Sequence, residues 1–213
     1  MSTVVEIGSW TEVSTTVAKN NKDVDDSIEK FLCKKKNFVI GLDIELSFSR
    51  DSEGVTRSKI AILSLCDGEH CLIVQLPHLD SVPTSLCNFL QLTDYTFVGF
   101  NIARSLERLE KEYGFWCKNY DDLKTMAAKY DIEQGCAAFW GFAKMVDDLC
   151  YVKTGTRVFF GWNPFEGNRD KLKNVVFNNW GDRHLNENQV TRATINVYVY
   201  HRLGYKLGSF KVV

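Results

Sequence analysis

The sequence lacks three features that would place it in a special class of protein. Its 213 residues contain no apolar run of membrane length and no apolar leader-like segment, its seven cysteines form no CxxC pair, and its net charge is only −1. We therefore expect no membrane association, reduced thiols in the cytoplasm or nucleus, and no basic coat for long-range attraction of nucleic acid. A local basic groove remains compatible with this charge balance.

The composition that remains is that of a globular domain with a sizeable core. Hydrophobic residues make up 45% of the chain and charged residues 25%, both ordinary values. Polar and apolar residues alternate over 1–20, which predicts a hairpin or an edge strand pair. Strands are predicted at 37–46, 59–66, 71–75 and 95–100, and helices at 23–35, 81–92, 101–113, 137–149 and 186–207, with a further strand–helix unit near 122–128. This order indicates an α/β domain with a mixed sheet.

Two local patterns predict specific contacts. Cys66 and Cys71 flank the turn at 67–70, so they are expected to face each other across a hairpin as buried structural thiols. Asn186 followed by Gln189 has the spacing of a capping box, which predicts the first turn of the last helix.

Two carboxylates follow the apolar strand that begins at Phe38. Asp43 and Glu45 are two residues apart, and side chains at this spacing point to the same face of a strand. Two acids that converge there repel each other and lose hydration unless a cation such as Mg²⁺ or Mn²⁺ lies between them. The alternative is an edge strand whose solvated face carries both acids, with Leu42 and Ile44 facing the core.

Four segments, in this order and spacing, resemble the DnaQ-like, DEDD-type 3′-5′ exonucleases, and among them the plant proteins related to the Werner-syndrome exonuclease domain. They are 39–45 (VIGLDIE), 62–68 with 71–73, 97–101 (FVGFN) and 185–190. The resemblance implies a ribonuclease-H-like fold, with a mixed five-stranded sheet flanked by helices. It also implies one domain over 1–213, with an N-terminal extension (1–36) that packs on the core and an irregular insertion at 153–179.

In that family four acids hold two Mg²⁺ or Mn²⁺ ions, and a tyrosine or histidine activates the attacking water. Asp43 and Glu45 match the first two acids, while Ser105 stands at the third position. The resemblance places Arg192 at the tyrosine position and Asn196 at the fourth acid. The catalytic set implied by the family is therefore degenerate in this chain.

These substitutions weaken the expected site. Serine and asparagine offer only neutral oxygens, and the Arg192 guanidinium could pair with the two acids and displace an ion. Glu107 is expected to face away from Ser105, and Asp122 to lie elsewhere, so no acid within the chain replaces the missing two. A second subunit could supply one.

Candidate contacts with nucleic acid lie in the predicted helix 101–113 and in the insertion. They are Arg104, Arg108 and Arg157 for phosphates, and Phe160 and Trp162 for stacking on bases. For each of them the alternative is an ordinary solvated charge or core aromatic. Trp180 is expected to be a packing residue at the entry to the last helix.

The sequence leaves more than one function open. The first is a 3′-5′ exonuclease that shortens single-stranded nucleic acid, with a mild preference for RNA that rests on the plant relatives. The second is a catalytically inactive relative that binds nucleic acid or serves as an assembly scaffold, either as a homo-oligomeric ring or together with paralogues. A protein-interaction module that keeps only the fold is a third.

Overall fold

The computed structural model describes residues 1–8, 11–33, 38–128 and 179–209. Its strands are β1 (Ser2–Ile7), β2 (Thr11–Ala18), β3 (Val39–Arg50), β4 (Thr56–Cys66), β5 (His70–Val74), β6 (Thr96–Gly99) and β7 (Tyr120–Asp122). Its helices are α1 (Asn21–Cys33), α2 (Thr84–Leu90), α3 (Ile102–Tyr113), α4 (Leu123–Ala128) and α5 (Glu187–Ser209), with a short 3₁₀ turn at Leu76–His78. The predicted helix 137–149 and residues 153–178 of the predicted insertion lie outside the described residues.

The strands form one mixed sheet in the order β1-β2-β5-β4-β3-β6-β7. Strands β1 and β4 run antiparallel to their neighbours, while β3, β6 and β7 are mutually parallel. The five strands from β5 to β7 are the mixed sheet that the resemblance implies. The sheet has seven strands rather than five, because the N-terminal hairpin joins its edge through β2, which pairs in parallel with β5.

Helices cover both faces of the sheet. One face packs against α1, α2 and α3 in an apolar cluster that includes Phe31, Phe89 and Leu106. The other face packs against α5, which contributes Val199 and Leu203 to a second cluster. Burial of each such side chain stabilises the fold by about 1.5–3 kcal/mol. None of the helices in the described ranges is long and apolar enough to cross a membrane.

The predicted local contacts are present. Cys66 and Cys71 pair directly across the β4–β5 turn, and both are buried. At the start of α5 the Asn186 amide donates to Gln189 Oε1 at 2.9 Å, and the Gln189 amide donates to Asn186 Oδ1 at 3.0 Å. These reciprocal bonds confirm the capping box. Trp180 is only 1% exposed just before this helix, which confirms it as a packing residue.

Helix α5 lies directly against the backbone of β3. A Cβ atom at Gly41 would be 1.9 Å from the carbonyl oxygen of Val197 and 2.8 Å from the amide of His201. Only glycine permits this approach, since any side chain would collide with backbone atoms of the helix. The contact fixes the middle of α5 over β3 at Gly41. This glycine lies two residues before Asp43, so the helix passes next to the carboxylate pair.

Candidate active site

Asp43 and Glu45 lie on the α5 face of β3. The intervening side chains point the other way, since Leu42 belongs to the opposite apolar cluster and Ile44 packs against it. Strand β3 is central, with β4 on one side and β6 on the other, which excludes the edge-strand alternative. Both acids lie beyond the last β3–β6 pair, Gly41 with Val98, where β3 continues past the carboxyl end of β6. In open α/β sheets such ends are the usual place for ligands.

The surroundings of the two carboxylates make ionisation costly. Burial raises the pKa of Asp43 to about 6, although its hydrogen bond from Asn196 acts in the opposite direction. Burial also raises the pKa of Glu45 to about 8, and the neighbouring charge of Asp43 adds to this effect. Two desolvated acids that repel each other form an electrostatic arrangement that a cation would relieve.

Helix α5 brings the two substituted family positions to the same place. Asn196 is 4% exposed, and its Nδ2 atom donates to Asp43 Oδ2 at 3.3 Å. Arg192, one turn earlier, lies close enough that its positive charge lowers the pKa of both Asp43 and Glu45. The helical spacing of four residues explains why both side chains share the face over β3.

Tyr200 is a neighbour of the site that the sequence analysis missed. It follows Asn196 by four residues, is 4% exposed, and has a pKa well above its ordinary value, chiefly because of burial and then because of the charges of Asp43 and Glu45. The i, i+4 spacing from Asn196 was the available signal. Arg192 and Tyr200 lie one helical turn before and one turn after Asn196. Tyr200 therefore brings an aromatic hydroxyl near the two carboxylates.

Ser105 and Asp122 do not complete the acid set. Ser105 is partly buried on α3, and among the described residues it forms no hydrogen bond with Asp43 or Glu45. Asp122 ends β7 and uses both carboxylate oxygens in capping, accepting from the amides of Ile102 at 3.0 Å and Lys124 at 2.9 Å. Within the described ranges no three His, Cys, Asp or Glu side chains gather in a way that could hold a metal ion.

The oxygen ligands that are present at the site fit one hard divalent cation better than two. The Asn196 Oδ1 atom is buried and has no hydrogen-bond partner among the described residues. An unpartnered buried carbonyl oxygen costs free energy, and amide oxygens are acceptable ligands for Mg²⁺ or Mn²⁺ beside carboxylates. Two carboxylates and one amide oxygen therefore form a ligand set whose charge of −2 balances a single ion.

The candidate phosphate contacts on α3 have different environments. Arg104 is exposed in the first turn, so its contact with nucleic acid stays a prediction. Arg108 instead donates to the carbonyl oxygen and the Oγ of Ser58 and to Glu112 Oε1. The guanidinium thus joins α3 to the outer edge of β4, and these contacts favour a structural role over the predicted phosphate contact. Arg157, Phe160 and Trp162 lie outside the described residues.

Comparison with known proteins gives a consistent fold. A 3′-5′ exonuclease of Arabidopsis thaliana is 29% identical over 113 residues, which are 52% of this chain and 37% of that protein. Escherichia coli RNase D, an exoribonuclease involved in structured RNA processing, superposes with a TM-score of 0.68 at 18% identity, over 92% of this chain and 44% of its own. No family model matches the sequence.

Two further structures agree. RNase D of Trypanosoma brucei, solved as a complex with GMP, has a TM-score of 0.69 at 15% identity and covers 93% of this chain and 58% of its own. The EXO domain of Aedes aegypti Nibbler has a TM-score of 0.65 at 12% identity and covers 92% of this chain and 87% of its own. The chain has the DnaQ-like 3′-5′ exonuclease fold. It spans little more than a third of the curated Arabidopsis relative.

Within this exonuclease fold, the position of the carboxylate pair is the informative feature. The acids that the sequence keeps, Asp43 and Glu45, converge on one face, and the positions it changes, Arg192 and Asn196, lie over them on α5. The two acids that remain and the two substituted positions thus lie together, and the charge of this group differs from the four-acid pattern that the resemblance implies.

Proposed function

We propose that this chain is a 3′-5′ exonuclease-like protein that removes nucleotides from the 3′ end of single-stranded nucleic acid by metal-assisted hydrolysis of phosphodiesters. RNA is the preferred substrate in this proposal, by analogy with the RNA-processing relatives. The observation that carries it is the pair Asp43 and Glu45, side by side, desolvated and facing α5 beyond the end of β6. The exonuclease fold and the Arabidopsis relative support it.

In this proposal Asp43 and Glu45 hold one Mg²⁺ or Mn²⁺ ion, and Asn196 contributes a neutral oxygen. Such an ion, when bound, polarises the phosphodiester and lowers the pKa of a coordinated water. The two carboxylates fix its position on a rigid central strand, and α5 keeps bulk water from one side. With two acids in place of four we expect slow turnover, because the site has charge for one ion rather than two and holds that ion with fewer charged ligands.

A second function, a nucleic-acid-binding or assembly scaffold without catalysis, is favoured by one observation. Arg192 already lowers the pKa of both carboxyls, and Asn196 already donates to Asp43. These contacts partly satisfy the acids without any metal, as expected for a site that has lost its ion. Assembly into a homo-oligomer or with paralogues could also bring a missing acid or base from another subunit.

The test is a nuclease assay on single-stranded RNA and DNA of equal length, labelled at the 5′ end. The purified chain is incubated with Mn²⁺ or with EDTA, beside Asp43→Asn and the matched control Asp94→Asn, which changes an exposed acid before the amino end of β6. We expect a ladder of products shortened from the 3′ end with the unchanged protein and the control. The ladder should be absent in EDTA and with Asp43→Asn.

Two other outcomes would contradict the proposed exonuclease activity at this site. A ladder that persists with Asp43→Asn would exclude this site as its source. Binding of the labelled strand without any shortening would support the scaffold function instead.

A further inference from the structure

The hairpin formed by β3 and β4 extends well beyond the rest of the sheet. The β5 strand pairs only with Leu63–Cys66 of β4, and β6 pairs only with Val39–Gly41 of β3. Beyond these limits, among the described residues, the two long strands pair only with each other, as far as Arg50 with Thr56. This projecting part begins at the carboxylate pair and ends in a turn at 51–55, so whatever enters the site from that side must pass along it.

One face of the projecting hairpin continues the face that carries Asp43 and Glu45. Its cross-strand pairs are Ser47 with Lys59 and Ser49 with Arg57. The intervening pair, Phe48 with Ser58, points to the other face. Gly181 lies close to Ser47 and belongs to the segment that leads into α5, which places this serine on the α5 side. We refer to Ser47, Ser49, Arg57 and Lys59 as the hairpin ribbon.

The hairpin ribbon has the charge and spacing of a phosphate-binding track. Lys59 is exposed and has no side-chain partner among the described residues, while Arg57 is 70% exposed although it pairs with Asp51 at 3.0 Å. Residues two apart on a strand are separated by about 6.8 Å, which is close to the spacing of successive phosphates in an extended single strand. From Glu45 the ribbon reaches about 14 Å further along β3 to Ser49.

The hairpin is held rigidly at its base. Helix α3 bonds to the outer edge of β4, where none of the described strands is paired: the Ile60 amide donates to Glu112 Oε2 at 2.8 Å and Tyr113 Oη donates to the Ile60 carbonyl at 3.2 Å. Arg108 adds its bonds to Ser58. A surface held by such contacts is pre-organised, so a ligand loses less free energy in ordering it.

The tip of the hairpin is also held in one conformation. Asp51 Oδ1 accepts from the amides of Glu53 and Val55, at 3.1 and 2.9 Å, and its other oxygen accepts from Arg57. The turn closes through Gly54, whose φ of +79° suits glycine. The ribbon is therefore fixed at both ends, which a binding track needs if it is to hold a strand in register with the carboxylates.

From these observations we infer that the hairpin ribbon binds the phosphates of the single strand upstream of the nucleotide held at Asp43 and Glu45. The inference rests on the proposed function for the direction of the strand. The binding itself needs no metal and no catalysis. Lys59 supplies a full positive charge, Arg57 a charge shared with Asp51, and Ser49 a hydroxyl donor, whereas the Ser47 hydroxyl donates to the Lys59 carbonyl oxygen at 3.4 Å. The contacts are to the backbone, so they carry no preference for base sequence.

The test measures binding in EDTA, so that hydrolysis does not contribute. A fluorescein-labelled oligouridylate is titrated with the protein at several KCl concentrations, and fluorescence anisotropy gives Kd. Lys59→Glu is compared with Lys118→Glu, a matched charge reversal at an exposed lysine that precedes β7 at the opposite end of the sheet. Phe48→Ser serves as a second control, because it changes the other face of the same hairpin.

We expect Lys59→Glu to raise Kd about 3- to 10-fold and to reduce the slope of log K against log salt by about 0.7, the value for one phosphate contact of a single strand. Lys118→Glu and Phe48→Ser should bind as the unchanged protein does. Arg57→Gln should show a smaller loss in the same direction. Circular dichroism and melting temperature check that each variant is folded.

The outcomes separate this inference from the proposed function. The inference about the hairpin ribbon is wrong if the unchanged protein and Lys59→Glu bind the strand equally well. It is also wrong if Lys118→Glu loses as much affinity as Lys59→Glu does. In both cases the exonuclease proposal stands. If the unchanged protein binds neither RNA nor DNA, the proposed function fails together with its substrate track. Shortening that is lost in Asp43→Asn, together with the expected loss of affinity in Lys59→Glu, supports both.

Discussion

Replacing Asn196 with aspartate tests whether α5 carries a ligand position for a cation. Asn196 Nδ2 lies 3.3 Å from Asp43 Oδ2, so a carboxylate in its place faces Asp43 at nearly that distance. Two unit charges there repel by about 5 kcal/mol at an effective dielectric constant of 20. Uptake of a proton by the pair limits the loss, so we expect the variant in EDTA to be less stable by about 1–3 kcal/mol.

A divalent ion should reverse this effect. The third carboxylate adds negative charge to a site that now offers −2, so Asn196→Asp should bind Mn²⁺ more tightly than the unchanged protein. Ligand present at 100 times its Kd stabilises a protein by about 2.7 kcal/mol. For a chain of this size each kcal/mol moves the melting temperature by about 2–4 °C. Melting curves in EDTA and in Mn²⁺ therefore measure both effects in one assay.

The matched control is Asn196→Ala, which removes the amide without adding charge. It should lose the hydrogen bond to Asp43 and gain less stability from Mn²⁺ than the unchanged protein, because only the two carboxylates remain to hold the ion. The reasoning would be refuted if Asn196→Asp melted at the same temperature as the unchanged protein in EDTA and showed no larger rise with Mn²⁺. In the nuclease assay we expect Asn196→Asp to be faster than the unchanged chain, since it restores one acid of the family pattern.

Three further predictions concern the scaffold around the site. Gly41→Ala should lower the free energy of unfolding by about 3 kcal/mol in denaturant titrations, whereas Gly208→Ala, with nothing nearer than 4.0 Å, should raise it by about 0.5–1 kcal/mol. Arg108→Ala should cost about 1–3 kcal/mol and leave the affinity for single strands unchanged; a selective loss of affinity would contradict its structural role. His201, whose pKa burial lowers, takes up its proton more readily when unfolded, so stability should fall as pH drops below about 6.5, and His201→Gln should flatten that dependence.

The parts of the fold that local patterns encode could be predicted from the sequence. Strand alternation places Asp43 and Glu45 on one face of β3, and helical spacing places Arg192 and Asn196 on one face of α5. In the structure this helix face covers the two acids. These predictions need only the geometry of a strand or a helix. The two faces meet because α5 contacts Gly41 of β3. The order of elements alone does not predict this contact, and only the resemblance to a known fold indicated it.

Other features depend on tertiary contacts that no local pattern encodes. Strand β3 continues to Arg50, although the predicted strand ends at 46, because Ser47–Arg50 pair with Thr56–Lys59 across the hairpin. Arg108 has the appearance of a surface cation, and only the proximity of β4 assigns it to Ser58. In both cases the partner lies on another element, across the hairpin for β3 and on β4 for Arg108. These partners are separated in the sequence by several to fifty positions.

The carboxylate pair itself argues that the site still has a task. Glu45 has a pKa of about 8 because it is half-buried and lies beside Asp43, so at pH 8 and above the protein must hold its charge against desolvation and repulsion. A domain that kept only its fold would be more stable with a neutral side chain there. We therefore expect Glu45→Gln to melt at a higher temperature than the unchanged protein in EDTA at pH 8, by an amount equivalent to about 1–3 kcal/mol. Mn²⁺ should abolish or reverse this advantage, because the charged carboxylate binds the ion more strongly than a neutral amide oxygen does. If Glu45→Gln were instead less stable in EDTA, the carboxylate would be satisfied by the protein alone, and the argument for a cation at this position would be lost.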